Sequence, residues 1–482
     1  MKFIVKLNTV SKPIKVETVF LFLIIQKTIY MNKLFFLTAF LCGICFSQKT
    51  EDSIQFKKIS DEILLHGKAY ENLRELTQDI GHRLSGSENY EKAVVWAEQK
   101  LREAGADKVW LQEVSVPVWE RGEESLKVKF KDGKIKKLRM TSLGNSEGTN
   151  GKDISGEILM IGSIEEFEKI PDNQVKDKIV FFNYPFKQEF VETFRAYGDA
   201  GKYRFSTASM VAKKGGKFVI VRSLSSGIDD VPHTGMMRYD ENYAKIPAVA
   251  IGNTTADELA QFIKGGNITA TLNSNCGMKG EKITHSVIGE LTGKKDQKVI
   301  VVGGHLDSWD VGEGAHDDGA GIVQSIEILR TFKKLGIQNN HTIRVVCFAN
   351  EENGARGGEQ YAEDAKNKNE AHLLAIESDA GGFTPRGLSL DMDESRQKQI
   401  QSWSGLFLPY GIYDFAKEYG GVDIEPLKEK LNVPLAGLVP DSQRYFDIHH
   451  TAEDIFEKVN RRELHLGAIA MGQLIYMADK YW

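Results

Sequence analysis

Three things are scarce in this chain, and each scarcity closes off a class of protein. Long apolar runs are missing: residues 19–25 and 34–46, the two early ones, fall short of the roughly 18 to 20 residues that span a bilayer. Excess basic charge is missing too. With 62 Lys and Arg against 67 Asp and Glu, the net charge is -5, which offers no basic face for nucleic acid. Cysteine is sparse: there are four, and Cys42 and Cys45 fall inside the second apolar run. The remaining two, Cys276 and Cys347, cannot make a disulfide scaffold, and Cys347 inside an apolar strand reads as a buried thiol behaving as a small hydrophobe. No internal repeat or low-complexity run is visible. What is present is ordinary globular composition, 41% hydrophobic and 27% charged, in a chain of 482 residues long enough for two domains plus processing segments.

The start of the chain reads as targeting sequence. Met31-Asn32-Lys33 gives a positive beginning, residues 34–46 an apolar centre, and Cys45-Phe46-Ser47 small residues at the cleavage side. Translation is therefore expected to begin at Met31, with residues 1–30 an upstream extension, a signal peptide at 31–47 and cleavage after Ser47. This predicts a secreted or periplasmic protein with no stable membrane anchor after cleavage. An uncleaved hairpin-like anchor is the competing reading. Lipid attachment at Cys42 or Cys45 is disfavoured because they follow Leu41 and Ile44, where a small residue is wanted.

The organising stretch is GGHLDSWDVGEGAHDDGAG, residues 303–321. It follows an apolar strand at 299–302 and leads into helical periodicity over 320–335, so it is a strand-to-helix loop. Such loops bind ligands at the carboxyl ends of strands in open α/β sheets. This one carries His305 and five acids: Asp307, Asp310, Glu313, Asp317 and Asp318. The pattern recurs. The strand at 342–348 is followed by Glu351-Glu352, and the one at 373–376 by Glu377-Ser378-Asp379. If these strands are parallel neighbours, the acids and the His converge on one sheet edge.

Residues 114–272 read differently, as short strands (156–161, 178–182, 218–221, 246–251, 267–272) with helices at 206–214 and 255–263, the latter capped by Thr255. They form a separate inserted domain without a His and acid cluster. His233 reads as a solvated loop residue. The basic and aromatic patch from Phe194 to Phe205 reads as surface, with contact to substrate as the alternative. After the insertion, residues 284–291 and 299–302 look like a hairpin-like pair, and the chain ends in an amphipathic helix at 461–476. A second helix is expected at 91–105, stopped by Gly105. His82, beside a turn, reads as a hydrogen-bonding strut and not as a site residue.

Imidazole and carboxylate in this mixture suit zinc. Two cations sharing a carboxylate can clamp a carbonyl oxygen and a water. Asp317 offers the bridge, His305 and Asp379 complete one site, and Glu352 with one of His449 and His450 completes the other. Glu351 is then free as general base. Neighbouring side chains on extended backbone point to opposite sides, which separates Glu351 from Glu352 and says that only one of the paired histidines ligates, without choosing. Asp307 is placed to accept the second ring N–H of His305.

At these residues the chain resembles the zinc-dependent M28 peptidases. The matching pieces are the 303–321 loop, Glu351-Glu352, residues 377–381, Tyr445-Phe446 before His449-His450, and Gly81-His82-Arg83-Leu84-Ser85-Gly86-Ser87. The resemblance implies two zinc ions per chain, one on His305, Asp317 and Asp379, the other on Asp317, Glu352 and His450, with Glu351 as base. It implies a cis bond at Asp317–Asp318. It also implies an α/β fold with a mixed, largely parallel sheet flanked by helices, interrupted by a protease-associated-type domain. The expected divisions are 49–115 and 276–482 for the peptidase domain and 116–275 for the insertion. His316, an extra imidazole beside Asp317, is expected at the surface. The implied function is hydrolysis of dipeptides or short peptides with free termini, by an aminopeptidase, carboxypeptidase or dipeptidase, with homodimerisation suggested. Arg356 or Arg444 could hold a terminal carboxylate. The alternatives are a single-zinc glutaminyl cyclase and an inactive binding or receptor protein of the same fold.

Overall fold

The fifteen strands of the described residues fall in chain order as β1 (Lys108–Glu120), β2 (Glu124–Lys129), β3 (Ile135–Leu138), β4 (Thr141–Ser142), β5 (Ile154–Ile161), β6 (Ile179–Phe182), β7 (Phe218–Arg222), β8 (Ala248–Ile251), β9 (Thr269–Ser274), β10 (Gly277–Leu291), β11 (Val299–His305), β12 (Thr342–Phe348), β13 (His372–Glu377), β14 (Pro385–Asp391) and β15 (Leu435–Pro440). They come from a computed structural model that describes residues 51–482, of which 58–482 make one compact unit. The expected start at Met31, the signal segment and its cleavage after Ser47 lie outside the described residues. No helix among the described residues is long and apolar enough to cross a membrane.

The larger sheet has the order β1-β10-β12-β11-β13-β15-β14. Its four central strands, β12, β11, β13 and β15, are parallel, while β10 and β14 pair antiparallel on either side. Strands β11 and β12 are buried along their whole length, which is why they appear in sequence as unbroken apolar runs instead of alternating ones. Parallel neighbours need a crossover, supplied by helices Ala320–Leu335 and Arg356–Asn367. Tyr361, Ala362 and Leu427 pack with Val299, Val301, Val346 and Phe348 on one face. Helix Ala320–Leu335 packs on β11 and against the long last helix, Arg461–Tyr481.

The expected pairing of residues 284–291 with 299–302 does not occur. Strand β12 lies between them, with Val287 opposite Cys347 and Gly304 also opposite Cys347. A strand apolar on both faces belongs in the middle of a sheet. Strand β10 is exposed along its first half, so it sits nearer the edge, where β1 covers it in register from Lys108↔Glu290 to Glu120↔Gly277. Residues 116–120 therefore continue the long outer strand of this sheet.

The smaller sheet, β3-β2-β9-β5-β6-β7-β8-β4, is built entirely from strands within residues 124–274. Alternation sorts its two faces. Ile179 and Phe181 pack with Leu259 of helix Asn253–Lys264. Val180 and Phe182 pack with Ala196, Tyr203 and Val211 of helices Thr193–Phe205 and Thr207–Lys213, and this second core continues into Phe383, Tyr445 and Phe446 of the larger part. The helix expected to be capped by Thr255 begins two residues earlier, with Gly252 as its cap and no side-chain cap bond.

Candidate metal centre

Because β11 is hydrogen-bonded in parallel to β12 on one side and β13 on the other, their carboxyl ends open side by side. His305 ends β11, Glu351 and Glu352 follow β12, and Asp379 follows β13. Asp317 returns on the loop before helix Ala320–Leu335, and the Asp317–Asp318 peptide is cis. The paired histidines arrive from a short helix, Tyr445–Ile448, whose Tyr445 and Phe446 are buried in the core shared with the smaller sheet.

Asp317 is the hinge of the arrangement. Its Oδ1 lies 3.1 Å from His305 Nε2, which is 3.6 Å from Asp379 Oδ1. Its Oδ2 lies 3.1 Å from His450 Nε2, which is itself 3.1 Å from Glu352 Oε2. Donors bound tetrahedrally at zinc's usual 2.0–2.1 Å stand about 3.3 Å apart, so both sets have the spacing a cation requires. Asp317 Oδ2 is buried and makes no hydrogen bond. All five residues expected to bind metal are therefore brought together, with Glu351 beside them on the wall of the same cavity.

Electrostatics agree with a site made for positive charge. Burial alone would lower His305, but Asp317 and Asp379 outweigh it and hold its pKa well above the usual value. His450 is likewise raised against burial by Glu352 and Asp317. Burial is the main cause that pushes Glu352 up to about 7 and Glu351 well above the carboxylate range. The acids of this site thus favour positive charge among them, which divalent cations held by the same groups would supply.

Three further carboxylates hold the backbone beneath these side chains. Asp318 accepts from the N–H of His305 at 3.2 Å and of Gly321 at 2.9 Å. Asp454 accepts from the N–H of His316 at 2.7 Å and of Asp317 at 3.1 Å, and burial pushes it up to about 7. Asp307 accepts from the N–H of Glu351 at 3.1 Å and of Glu352 at 3.4 Å. This corrects the role expected of the Asp307 carboxylate. His305 Nδ1 sits 3.0 Å from the Asp307 backbone carbonyl and 3.7 Å from its carboxylate, because the tight turn after β11 presents the carbonyl first. Beneath the loop, fully buried Arg83 donates from Nε to Leu306 O at 2.6 Å, from Nη1 to Glu313 O at 2.7 Å and from Nη2 to Gly314 O at 2.9 Å. Arg83 lies in one of the stretches that carry the resemblance, but neither its neighbours nor those of Asp454 signal that the side chain is buried. Asp318 carried only its adjacency to Asp317 as a signal.

Several expectations fail for identifiable reasons. The alternation argument does not apply to the histidine pair, since the chain turns at His450 (φ 60) and the two rings stack at 3.5 Å. His449 Nε2 reaches Asp317 Oδ2 at 3.5 Å, whereas His450 is close to both Asp317 and Glu352. Asn350 (φ 67) similarly turns the exit of β12 before Glu351. His316 is not at the surface: it is buried, stacks on Phe383 at 4.3 Å, accepts a 3.0 Å bond from Gly382 N and is pushed down to about 4 by burial. His233 is also buried, which pushes it down to about 3. The patch around residues 194–205 is not plain surface either. Phe194, Arg195, Tyr197, Arg204 and Phe205 line one wall of a cavity of about 810 Å³ that contains Asp317, Glu351, Asp379 and His450. Arg356 and Arg444 are not in its wall; they pair with Glu281 at 3.3 Å and Glu463 at 3.7 Å.

Comparison with known proteins matches residues 286–475 to the model of Peptidase family M28. Carboxypeptidase Q of Bos taurus is 32% identical over 442 residues, covering 90% of this chain and 91% of the relative. The crystal structure of the Peptidase M28 precursor from Shewanella amazonensis SB2B superposes with a TM-score of 0.85 at 30% identity, over 89% of this chain and 97% of the other. BSAP, a zinc aminopeptidase from Bacillus subtilis, shares the fold at a TM-score of 0.62 and 19% identity, over 85% of this chain and 94% of its own.

Proposed function

Since the chain belongs to peptidase family M28 and is a metallopeptidase, we propose that it is an exported dinuclear zinc exopeptidase acting on dipeptides or short peptides with free termini. The observation that carries this reading is the carboxylate of Asp317, whose two oxygens face two separate donor sets. His305 and Asp379 would hold one ion with it, Glu352 and His450 the other. Bound there, zinc would polarise the scissile carbonyl and make a water acidic enough to attack near neutral pH.

The remaining work belongs to the chain's own groups. Glu351 borders the cavity, and its backbone is fixed by Asp307. Its carboxylate takes the proton of the attacking water and passes it to the leaving amine. Burial and the neighbouring acids strengthen Glu351 as a base, and bound cations would temper that effect. Asp318, Asp454 and Asp307 keep the ligands in place before substrate arrives, so little reorganisation is needed during the reaction. The smaller sheet, as the inserted protease-associated-like domain, closes the cavity from the opposite side through helix Thr193–Phe205. Like the expected signal segment, the pairing of two such chains belongs to this reading as a proposal.

The test is a panel of dipeptides, blocked dipeptides and N-terminal glutamine peptides, run before and after chelation and after zinc is restored. Hydrolysis that disappears with chelation and returns with about two zinc ions per chain supports the reading. Cyclisation of glutamine with one zinc and no hydrolysis would refute it.

A further inference from the structure

The inserted sheet meets the metal centre from one side. Two short connections, residues 121–123 and 275–276, join it to the larger sheet, and Asn275 N bonds to the Glu123 carbonyl at 3.0 Å, so the two run together. Arg121, on the first connection, donates from Nε to Asp310 Oδ2 at 2.9 Å and from Nη2 to Asp310 Oδ1 at 2.6 Å, a two-pronged grip on the loop that carries candidate ligands. Its Nη1 donates to Thr141 Oγ1 at 2.6 Å and to the Ser142 carbonyl, so one guanidinium fastens that loop to strand β4. Just past β4, Gly144 leaves room for the Trp309 indole: a Cβ there would stand 1.8 Å from Cη2. Trp309 is buried, with Trp119 edge-on to it at 6.2 Å.

Trp309 in turn touches two of the five candidate ligands. Its backbone N–H donates to Glu352 Oε1 at 3.2 Å, which leaves Oε2 to face His450, and its ring meets the His450 ring edge-on at 5.8 Å. Residues of the insertion also hold the backbone at both ligands. Thr234 N donates to the His450 carbonyl at 3.0 Å, and Asn145 Nδ2 donates to the carbonyl of Asn353, next to Glu352, at 3.2 Å. The other donor set is placed differently. His305 is held by Asp318 and by the Asp307 carbonyl, and among the described residues neither His305 nor Asp379 has a hydrogen bond or ring contact from residues 124–274. Asp317, common to both sets, is fixed through its N–H by Asp454 at 3.1 Å.

Resting on the dinuclear zinc reading above, we propose that the insertion is a structural part of one half of the metal centre, with Arg121 and Gly144 as positioning residues for the ion on Glu352 and His450. Seated, the insertion fixes Trp309 against those two ligands. Unseated, it frees them while His305 and Asp379 keep their geometry. Groups that orient a ligand from behind typically set metal affinity by about 10- to 100-fold.

The experiment measures zinc per chain after gel filtration, and zinc release across a graded series of chelator concentrations, in the full chain. The wild type should hold about two ions. Gly144→Ala adds a methyl that must displace the indole or the loop, and Arg121→Gln removes the grip on Asp310. Each should give up one ion at a chelator concentration about 10- to 100-fold lower and hold the other as the wild type does. Arg121→Lys, which keeps charge without the fork, should fall between. Added to Glu352→Gln, in which that same ion is already weakened, Gly144→Ala should make no further difference. Unchanged release in Gly144→Ala and Arg121→Gln, equal weakening of both ions, or a further loss in the Glu352→Gln background overturns the proposal and leaves the dinuclear reading standing. Should Gly144→Ala or Arg121→Gln not fold, Arg121→Lys decides by the same measure: selective weakening of one ion supports the proposal, and release like the wild type's overturns it. A wild type that binds a single ion or none refutes the dinuclear reading, and this proposal with it.

Discussion

Replacing Arg83 with Met tests whether the metal loop is held from below. The guanidinium is fully buried, and its three nitrogens bond to carbonyls of Leu306, Glu313 and Gly314, all between the two candidate ligands His305 and Asp317. Hydrogen bonds from a charged group are worth about 1.5–3 kcal/mol each, so the gross loss is several kcal/mol. Relief of the charge's burial offsets part of that, and breaking buried ionic arrangements by removing one partner typically costs about 3–5 kcal/mol. Met fills much of the volume but leaves the Leu306 and Glu313 carbonyls without the Arg83 donor, while Gly314 O keeps only its 3.0 Å bond from Gly319 N. We expect Arg83→Met to lower unfolding stability by about 3–5 kcal/mol and to weaken zinc retention, because the loop can then move His305 relative to Asp317. Urea unfolding of the zinc-loaded and chelated protein, with zinc per chain measured after gel filtration, reads both effects. A loss within about 1 kcal/mol together with full zinc would refute the reasoning.

Other consequences can be checked in the same preparations. Glu351→Gln removes the proton acceptor and little else; turnover should fall by about 10²–10⁴-fold with zinc retained, and activity within tenfold of wild type contradicts the role. Asp317→Ala cuts the link between the donor sets, so both ions should be lost, and a variant still carrying two zinc ions per chain argues against bridging. His465 is buried and pushed down to about 4, mainly by burial. The unfolded chain therefore binds its proton first as pH falls. Stability from the neutral ring is complete above pH 6.5 and is lost on acidification from there toward about 4, worth about 3 kcal/mol in all. His465→Gln should flatten that limb of a stability-against-pH curve; an unchanged slope would show that another group is responsible.

Much of the fold's centre is visible in the residues themselves because burial on both faces leaves an unmistakable mark. Strands β11, β12 and β13 are short apolar runs with acids at their ends, and covering both faces forces them to the middle of a parallel sheet. The outer strands carry no such mark. Strand β1 alternates exposed and buried residues, and β10 is exposed over half its length, so neither pattern states which strand it will pair with. That is how residues 284–291 and 299–302 came to look like a hairpin although β12 separates them.

The site divides along the same line. Ligand types, the run of acids and the candidate base are local properties, written in the order of residues after each strand. What Asp307, Asp318 and Asp454 do is not local, for each is identified only by the backbone N–H groups that the fold brings to it from up to 138 positions away. Arg83 meets its carbonyls across more than 220 positions. Arg204 looked like one of several basic residues in an aromatic patch until the cavity placed it beside His450. A side chain's chemistry is carried by the residue, but its partner, its burial and the direction it faces are set by which segments pack together, and only the folded chain decides that.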